Sequence, residues 1–128
     1  LGLILDTNAV SALLAGRSDS LHRVLDDADR HHLPLPVIAE YQFGLLQLPR
    51  PRRLQSLFRR LEADSILLLP DRVTADSYAS IRHDLKKLGQ PIPENDLWIA
   101  ALARQFDLDI VSQDAHFDQV PAIRRIGW

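Results

Sequence analysis

The chain has 128 residues, 46% of them apolar, and a formal net charge of −2. That length and apolar share fit one domain, residues 1–128, with one substantial core. The absence of cysteine excludes disulfides, iron–sulfur clusters and thiolate zinc sites and suits a reducing cytoplasm. No apolar run approaches a membrane span, and no basic stretch precedes an apolar one at the start, so a cytoplasmic protein without membrane attachment is expected. Methionine is also absent, which implies that residue 1 is not the native start. The weak negative charge does not favour nucleic-acid binding through the bulk field.

In chain order, GLIL (2–5) predicts a buried strand and NAVSALLA (8–15) a helix stopped by Gly16. Asp19 or Ser20 is the expected cap of a second helix, LHRVLDDADRHH, with Leu21, Val24, Leu25 and Ala28 on one face. LPLPVI (33–38) predicts a second strand, and its prolines suggest an edge or irregular position. AEYQFGLLQL then reads as helix, broken by Pro49 and Pro51. The next helix, PRRLQSLFRRLEAD, places Leu54, Leu57, Phe58 and Leu61 on one stripe. SILLLP (65–70) predicts a third strand, VTADSYASIRHDLKKLG (73–89) a long helix ending at glycine, and NDLWIAALARQF another helix after the QPIPEN loop. LDIVSQD (108–114) predicts a fourth strand and RRIGW a short fifth. Helices alternating with short, wholly apolar strands imply a parallel sheet covered on both faces. In such sheets the functional crevice lies beyond the carboxyl ends of the strands.

Most of the 17 acidic residues fit solvated faces or helix starts. Four stand against apolar sequence at element boundaries. Asp6 follows LIL and reads as a helix cap or a site acid. Glu40 follows PVIA and reads as a first-turn helix acid or a site acid. Asp96, in PIPENDLWIAALA, lies in a first turn that Asn95 or Glu94 would cap. Asp114 follows IVSQ at a strand end, where a turn aspartate is also common. Two end strands and two begin helices, so all four can meet at one edge of the sheet. At separations of about 6 Å and an effective dielectric of about 20, each pair repels by roughly 3 kcal/mol, and six pairs total on the order of 17. A domain of this size does not tolerate that uncompensated. Protonation or a divalent cation must relieve it, and an all-oxygen cluster favours Mg²⁺ or Mn²⁺. Such ions support phosphodiester hydrolysis.

The blocks LDTNAV, IAEYQFG, PIPENDLWIAA and VSQDAHFDQVP, in this order and spacing from Leu3 to Trp128, resemble the four signature blocks of PIN-domain ribonucleases. They are most similar to those of the VapC-type toxins of type II toxin–antitoxin modules. The resemblance implies a three-layer α/β fold whose central, mostly parallel sheet of four or five strands is covered by helices on both faces. It implies a Mg²⁺- or Mn²⁺-dependent endoribonuclease acting on structured RNA such as tRNA or rRNA. Its acidic quartet falls on Asp6, Glu40, Asp96 and Asp114, which are the expected catalytic and metal-holding residues. Thr7, Asn8, Asn95 and Ser112 match its supporting polar positions. The pattern departs at His116, where many members carry a further aspartate. His116 reads as a loop histidine at the mouth of the site, or as a phosphate contact or proton donor.

RPRRLQSLFRR carries five arginines in eleven residues, among them Arg52, Arg53, Arg59 and Arg60. They suit a solvated face, an RNA-backbone track or an acidic partner segment. Arg82 and Lys86 form a second basic group before the QPIPEN loop. With the four site acids set aside, the net charge of −2 becomes +2. Leu45, Leu48, Leu57 and Phe58 suit either the core or a docking groove. The resemblance implies that a VapB-like antitoxin binds such a groove and that the chain forms a homodimer. The competing readings are a PIN-like RNA-processing nuclease without a toxin role, and a PIN-like module that binds RNA or protein without catalysis. Haloacid-dehalogenase-like phosphatases are disfavoured because Asn8 stands where they need a second aspartate. Receiver domains are disfavoured by the lack of adjacent acids and of a strand-end lysine.

Overall fold

The computed structural model describes residues 2–128. Its five strands are β1 (Gly2–Leu5), β2 (Arg30–Pro34), β3 (Ile66–Leu68), β4 (Asp109–Val111) and β5 (Arg125–Ile126). They form one sheet in the order β3-β2-β1-β4-β5, every pair parallel. Six helices surround it: α1 (Thr7–Ala15), α2 (Asp19–Asp26), α3 (Leu35–Leu46), α4 (Arg52–Ala63), α5 (Arg72–Lys87) and α6 (Glu94–Phe106). A short 3-10 turn covers Ala115–Gln119. Among the described residues, no helix is long and apolar enough to cross a membrane.

The expected α/β pattern holds, with local corrections. β2 begins at Arg30 and takes in His31 and His32, where the sequence predicts helix. It is an internal strand, not an edge, because its only proline is its last residue, Pro34. Pro36 falls in the first turn of α3, where a missing N–H costs nothing. α3 therefore starts four residues earlier than expected, and Glu40 lies in its second turn, not its first. Ser18, rather than Asp19 or Ser20, caps α2, its Oγ accepting from the Leu21 N–H at 3.1 Å. The N-cap position of α6 is Pro93, and neither Glu94 nor Asn95 caps it with a side chain. Gly16 and Gly89 both close helices at φ +66°, a conformation open to glycine at no steric cost.

The core runs through both faces of the sheet. Ile4, Leu5, Leu33, Ile110 and Val111 are buried between α1, α3 and α6 contributions such as Val10, Val37, Ile99 and Leu102. Leu45 and Phe58 belong to this core, whereas Leu48 is exposed and Leu57 half-buried. The large apolar residues left outside on the α3–α4 hairpin are instead Leu35, Phe43, Leu46 and Leu48. The chain fills one side of β1 with β2 and β3, then crosses back to place β4 on the other side. That reversal opens a crevice beyond the carboxyl ends of β1 and β4, the position at which open α/β sheets bind ligands.

Candidate active site at the strand reversal

Asp6 stands at the centre of the crevice. Its backbone N–H donates to Val111 O at 3.1 Å, which fastens the end of β1 to β4. Its carboxylate serves both expected roles. Oδ1 accepts from the Thr7 N–H at 2.8 Å, capping α1, and Oδ2 accepts from Ser112 Oγ at 2.6 Å. Asp6 is only 5% exposed. Burial pushes its pKa up, the Ser112 and Thr7 bonds draw it back, and the charges of Glu40 and Asp114 push it up again by less.

Ser112, fully buried just past β4, is the hub of this half. Its Oγ donates to Asp6, accepts from the Asp114 N–H at 2.9 Å and lies 3.3 Å from the Asn8 amide. Asn8 Oδ1 in turn accepts from the Gln113 N–H at 3.2 Å. Nothing in the sequence marks Gln113 for this role, because a backbone N–H carries no side-chain signature. The first turn of α1 and the segment after β4 are thus tied together by a chain of polar bonds.

Glu40 enters from α3. Its Oε2 accepts from Thr7 Oγ1 at 2.7 Å and from Asn95 Nδ2 at 2.9 Å. Thr7 and Asn95 therefore hold a site carboxylate and are not caps. The second turn of α3 delivers Glu40 to the crevice as well as a first turn would, since β2 ends beside β1.

The other half consists of Asp96, Asp114 and His116. Asp114 caps the 3-10 turn through the His116 N–H at 2.9 Å. The turn brings His116 Nδ1 to 2.9 Å from Asp114 Oδ1 and 3.2 Å from Asp96 Oδ2. His116 is therefore seated between two carboxylates on a half-exposed turn. The Asp96 side chain is 13% exposed and that of His116 45%. Asp96 is raised from 3.8 to about 6, chiefly by burial, while the His116 hydrogen bond lowers it and the Asp6 and Asp114 charges raise it further. The acids thus share one field, yet desolvation, more than mutual repulsion, sets the cost of keeping Asp96 ionised.

The donor set fits a divalent ion. One atom each from Asp96, Asp114 and His116 lies within 4.8 Å of the others, and hard carboxylate oxygens with one imidazole nitrogen are ordinary ligands. Among the described residues, no arginine or lysine forms an ion pair with these carboxylates: those of Arg82, Arg124 and Arg125 run to Glu94, Asp109 and Asp118, although the Arg125 charge is felt at Asp114. Arg82 and Lys86 line a neighbouring cavity of about 360 Å³ whose walls include Ile92, Leu97 and Glu94. Arg52, Arg53, Arg59 and Arg60 lie exposed on α4 and have no ion-pair partner among the described residues.

The PIN domain family model matches residues 3–123. Ribonuclease VapC5 of Mycobacterium tuberculosis is 33% identical over 121 residues, covering 89% of this chain and 84% of that protein. Ribonuclease VapC2 of Haemophilus influenzae is 29% identical over 127 residues, covering 98% and 96%. Among solved structures, VapBC2 from Rickettsia felis, bound to a DNA fragment from its promoter, superposes with a TM-score of 0.90 at 21% identity, over 100% of this chain and 99% of that one. VapBC-5 from Mycobacterium tuberculosis, of the VapBC family of toxin–antitoxin systems, superposes with a TM-score of 0.74 at 26% identity, over 99% and 98%. With that fold, that crevice and a match along nearly its whole length, the chain belongs to the PIN domain family.

Proposed function

We propose that the protein is an endoribonuclease, the toxin of a toxin–antitoxin pair, that hydrolyses RNA phosphodiester bonds with a divalent ion such as Mg²⁺ or Mn²⁺. One observation carries the reading: Asp6, Glu40, Asp96 and Asp114 come from four distant stretches of chain to one crevice, where burial holds Asp6 and Asp96 at raised pKa. Similarity to VapC ribonucleases over most of the chain supports it.

Asp96, Asp114 and Asp6 would hold the ion, with Glu40 completing the site. When bound, the ion supplies positive charge to the reacting phosphate and lowers the pKa of water. Ser112 and Thr7 fix Asp6, so its charge stays at one point of the crevice. Glu40, pinned by Thr7 and Asn95, is the residue to accept a proton from the attacking water. In-line attack breaks the bond to the 3′ oxygen and leaves 5′-phosphate and 3′-hydroxyl ends. A structured RNA such as tRNA or rRNA, in the cytoplasm, would lay its backbone along exposed cations: Arg52, Arg53, Arg59 and Arg60 on one side, Arg82 and Lys86 on the other.

A VapB-like antitoxin has a suitable seat. A groove of about 440 Å³ between α1, α3 and α4 is lined by Ala15, Phe43, Leu48 and Leu54 and ends at Thr7 and Glu40. An apolar segment lying there would reach the site itself. The remaining exposed apolar surface of α3, at Leu46, suits a homodimer contact.

The test is cleavage of structured RNA by the purified protein in Mg²⁺, Mn²⁺ or EDTA, followed by end-group analysis. Cleavage that needs a divalent ion and leaves 5′-phosphates is expected. Full activity in EDTA, or 2′,3′-cyclic phosphate ends, overturns the chemistry. The toxin role predicts growth arrest on expression, relieved by the cognate antitoxin.

A further inference from the structure

We infer that His116 is itself a metal ligand, through Nδ1, and that this nitrogen makes the site prefer Mn²⁺ and later transition ions over Mg²⁺. The inference rests on the metal-dependent reading above and concerns which ion is held, not whether cleavage occurs.

The geometry comes first. Ligand bonds of about 2.1 Å at right angles place neighbouring ligand atoms about 3 Å apart, the edge of an octahedron. His116 Nδ1 lies 2.9 Å from Asp114 Oδ1 and 3.2 Å from Asp96 Oδ2. These are hydrogen-bond distances without an ion; an ion bound at Nδ1 would release the proton held there, and the same spacing then matches two edges of a coordination polyhedron, with one donor atom from each of the three residues within 4.8 Å of the others. The backbone fixes the arrangement: the His116 N–H is bonded to Asp114 Oδ1, and the turn over Ala115–Gln119 is anchored by the fully buried Phe117. Nδ1 is the ring nitrogen nearer the backbone, so a short turn can aim it without a long, mobile side chain.

The chemistry follows from the nitrogen. An aspartate at this position would add another hard oxygen, to which Mg²⁺ is well suited. Mg²⁺ keeps waters and oxygen ligands and gains little from imidazole, whereas affinity for nitrogen rises along the first transition series from Mn²⁺. The histidine also leaves the site one negative charge poorer than an aspartate would, which weakens the hold on a hard cation. Both effects act in the same direction.

The experiment measures binding, not turnover. Mn²⁺ bound to the intact protein is examined by electron spin-echo spectroscopy for a coupled ¹⁴N nucleus. Calorimetry gives Mn²⁺ and Mg²⁺ affinities for the wild type, His116→Ala and His116→Asp. A ¹⁴N coupling in the wild type is expected, absent from both variants. His116→Ala should weaken Mn²⁺ by roughly tenfold or more, at least the scale seen when a metal ligand is deprived of its supporting partner, and Mg²⁺ by less than about twofold. His116→Asp should tighten Mg²⁺ and shift the preference toward it. Tight Mn²⁺ binding without ¹⁴N coupling, or equal losses for both ions in His116→Ala, overturns the inference while leaving the carboxylate site intact. Failure of both ions to bind at millimolar concentration overturns the metal-dependent reading as well. The wild-type spectrum needs no variant to fold, and a half-exposed His116 leaves little packing to lose on substitution.

Discussion

The two halves of the crevice are built on opposite principles. Around Asp6, each carboxylate oxygen accepts a bond from a fixed donor: Thr7 N–H on one, Ser112 Oγ on the other. Asp96 and Asp114 instead converge on the His116 ring nitrogen, and Asp114 Oδ1 also accepts from the His116 N–H. The first half fixes its carboxylate with bonds from the protein. In the second, burial raises Asp96 to about 6 with His116 Nδ1 beside it, an arrangement that an added cation would relieve. A buried carboxylate with its partners in place stabilises a fold, whereas one left short of partners stores an affinity for a cation.

Substitution of the second half should cost the most activity. Asp96→Asn or Asp114→Asn is expected to lower RNA cleavage by more than about 100-fold, beyond the effect of losing an outer partner of a ligand. Circular dichroism should show the fold unchanged. Cleavage at wild-type rates would erase the distinction between the halves.

Ser112→Ala tests the first half. It strips a donor from Asp6 and an acceptor from the Asp114 N–H, both inside the protein. A loss of about 2 kcal/mol, read as a fall of roughly 5–10 °C in the melting temperature, is expected. An unchanged melting temperature would mean that water replaces the hydroxyl and that this half is not closed.

Asp96→Asn should do the reverse to stability in the absence of metal. Asp96 has its folded-state pKa raised from 3.8 to about 6. Below pH 3.8 it is neutral in both states and burial costs nothing. Between there and about 6 the unfolded chain ionises first, so stability is lost as pH rises, and above that window the folded state bears the whole penalty. In EDTA at pH 8 the Asn variant should be more stable by no more than about 3 kcal/mol. Its stability should change less between pH 4 and 7, as followed by denaturant titration. Saturating Mn²⁺ should stabilise only the wild type. A less stable Asn variant would show that Asp96 is already satisfied.

The smallest effects belong to the cations outside both halves. Changing Arg52, Arg59 and Arg60 together to Gln should leave the folded state intact and flatten the salt dependence of RNA binding. The expected change in slope is about 0.7–0.9 for each phosphate that the arginines no longer neutralise. An unchanged slope would place the RNA elsewhere, on the side of Arg82 and Lys86.

The legibility of the molecule divides along similar lines. The alternation of apolar strands and amphipathic helices is enough for a parallel α/β sheet, because both signals are local. The boundaries near Pro34 and Pro36 are misplaced when both prolines are read as parts of one edge or irregular strand, since one ends β2 and the other lies in the first turn of α3. Asp6 and Asp114 are legible because each stands where an apolar strand ends, and Asp96 because it opens an apolar helix. Glu40 is legible from the apolar PVIA before it, but its place in the second turn of α3, not the first, is not. Leu45 and Phe58 suit core or groove equally by sequence, and only packing places them inside.

The sequence alone determined the periodicities, the stop signals such as Gly16, and which carboxylates lie at the ends of buried elements. These follow from the near-neighbour physics of the chain. The tertiary structure alone decided that β4 lands beside β1 and that Ser112 is the hub between Asp6 and Asp114. It also decided that His116 Nδ1 faces two acids, and that desolvation outweighs repulsion in raising Asp96. Burial and approach in space depend on how distant segments pack, and no local pattern records them.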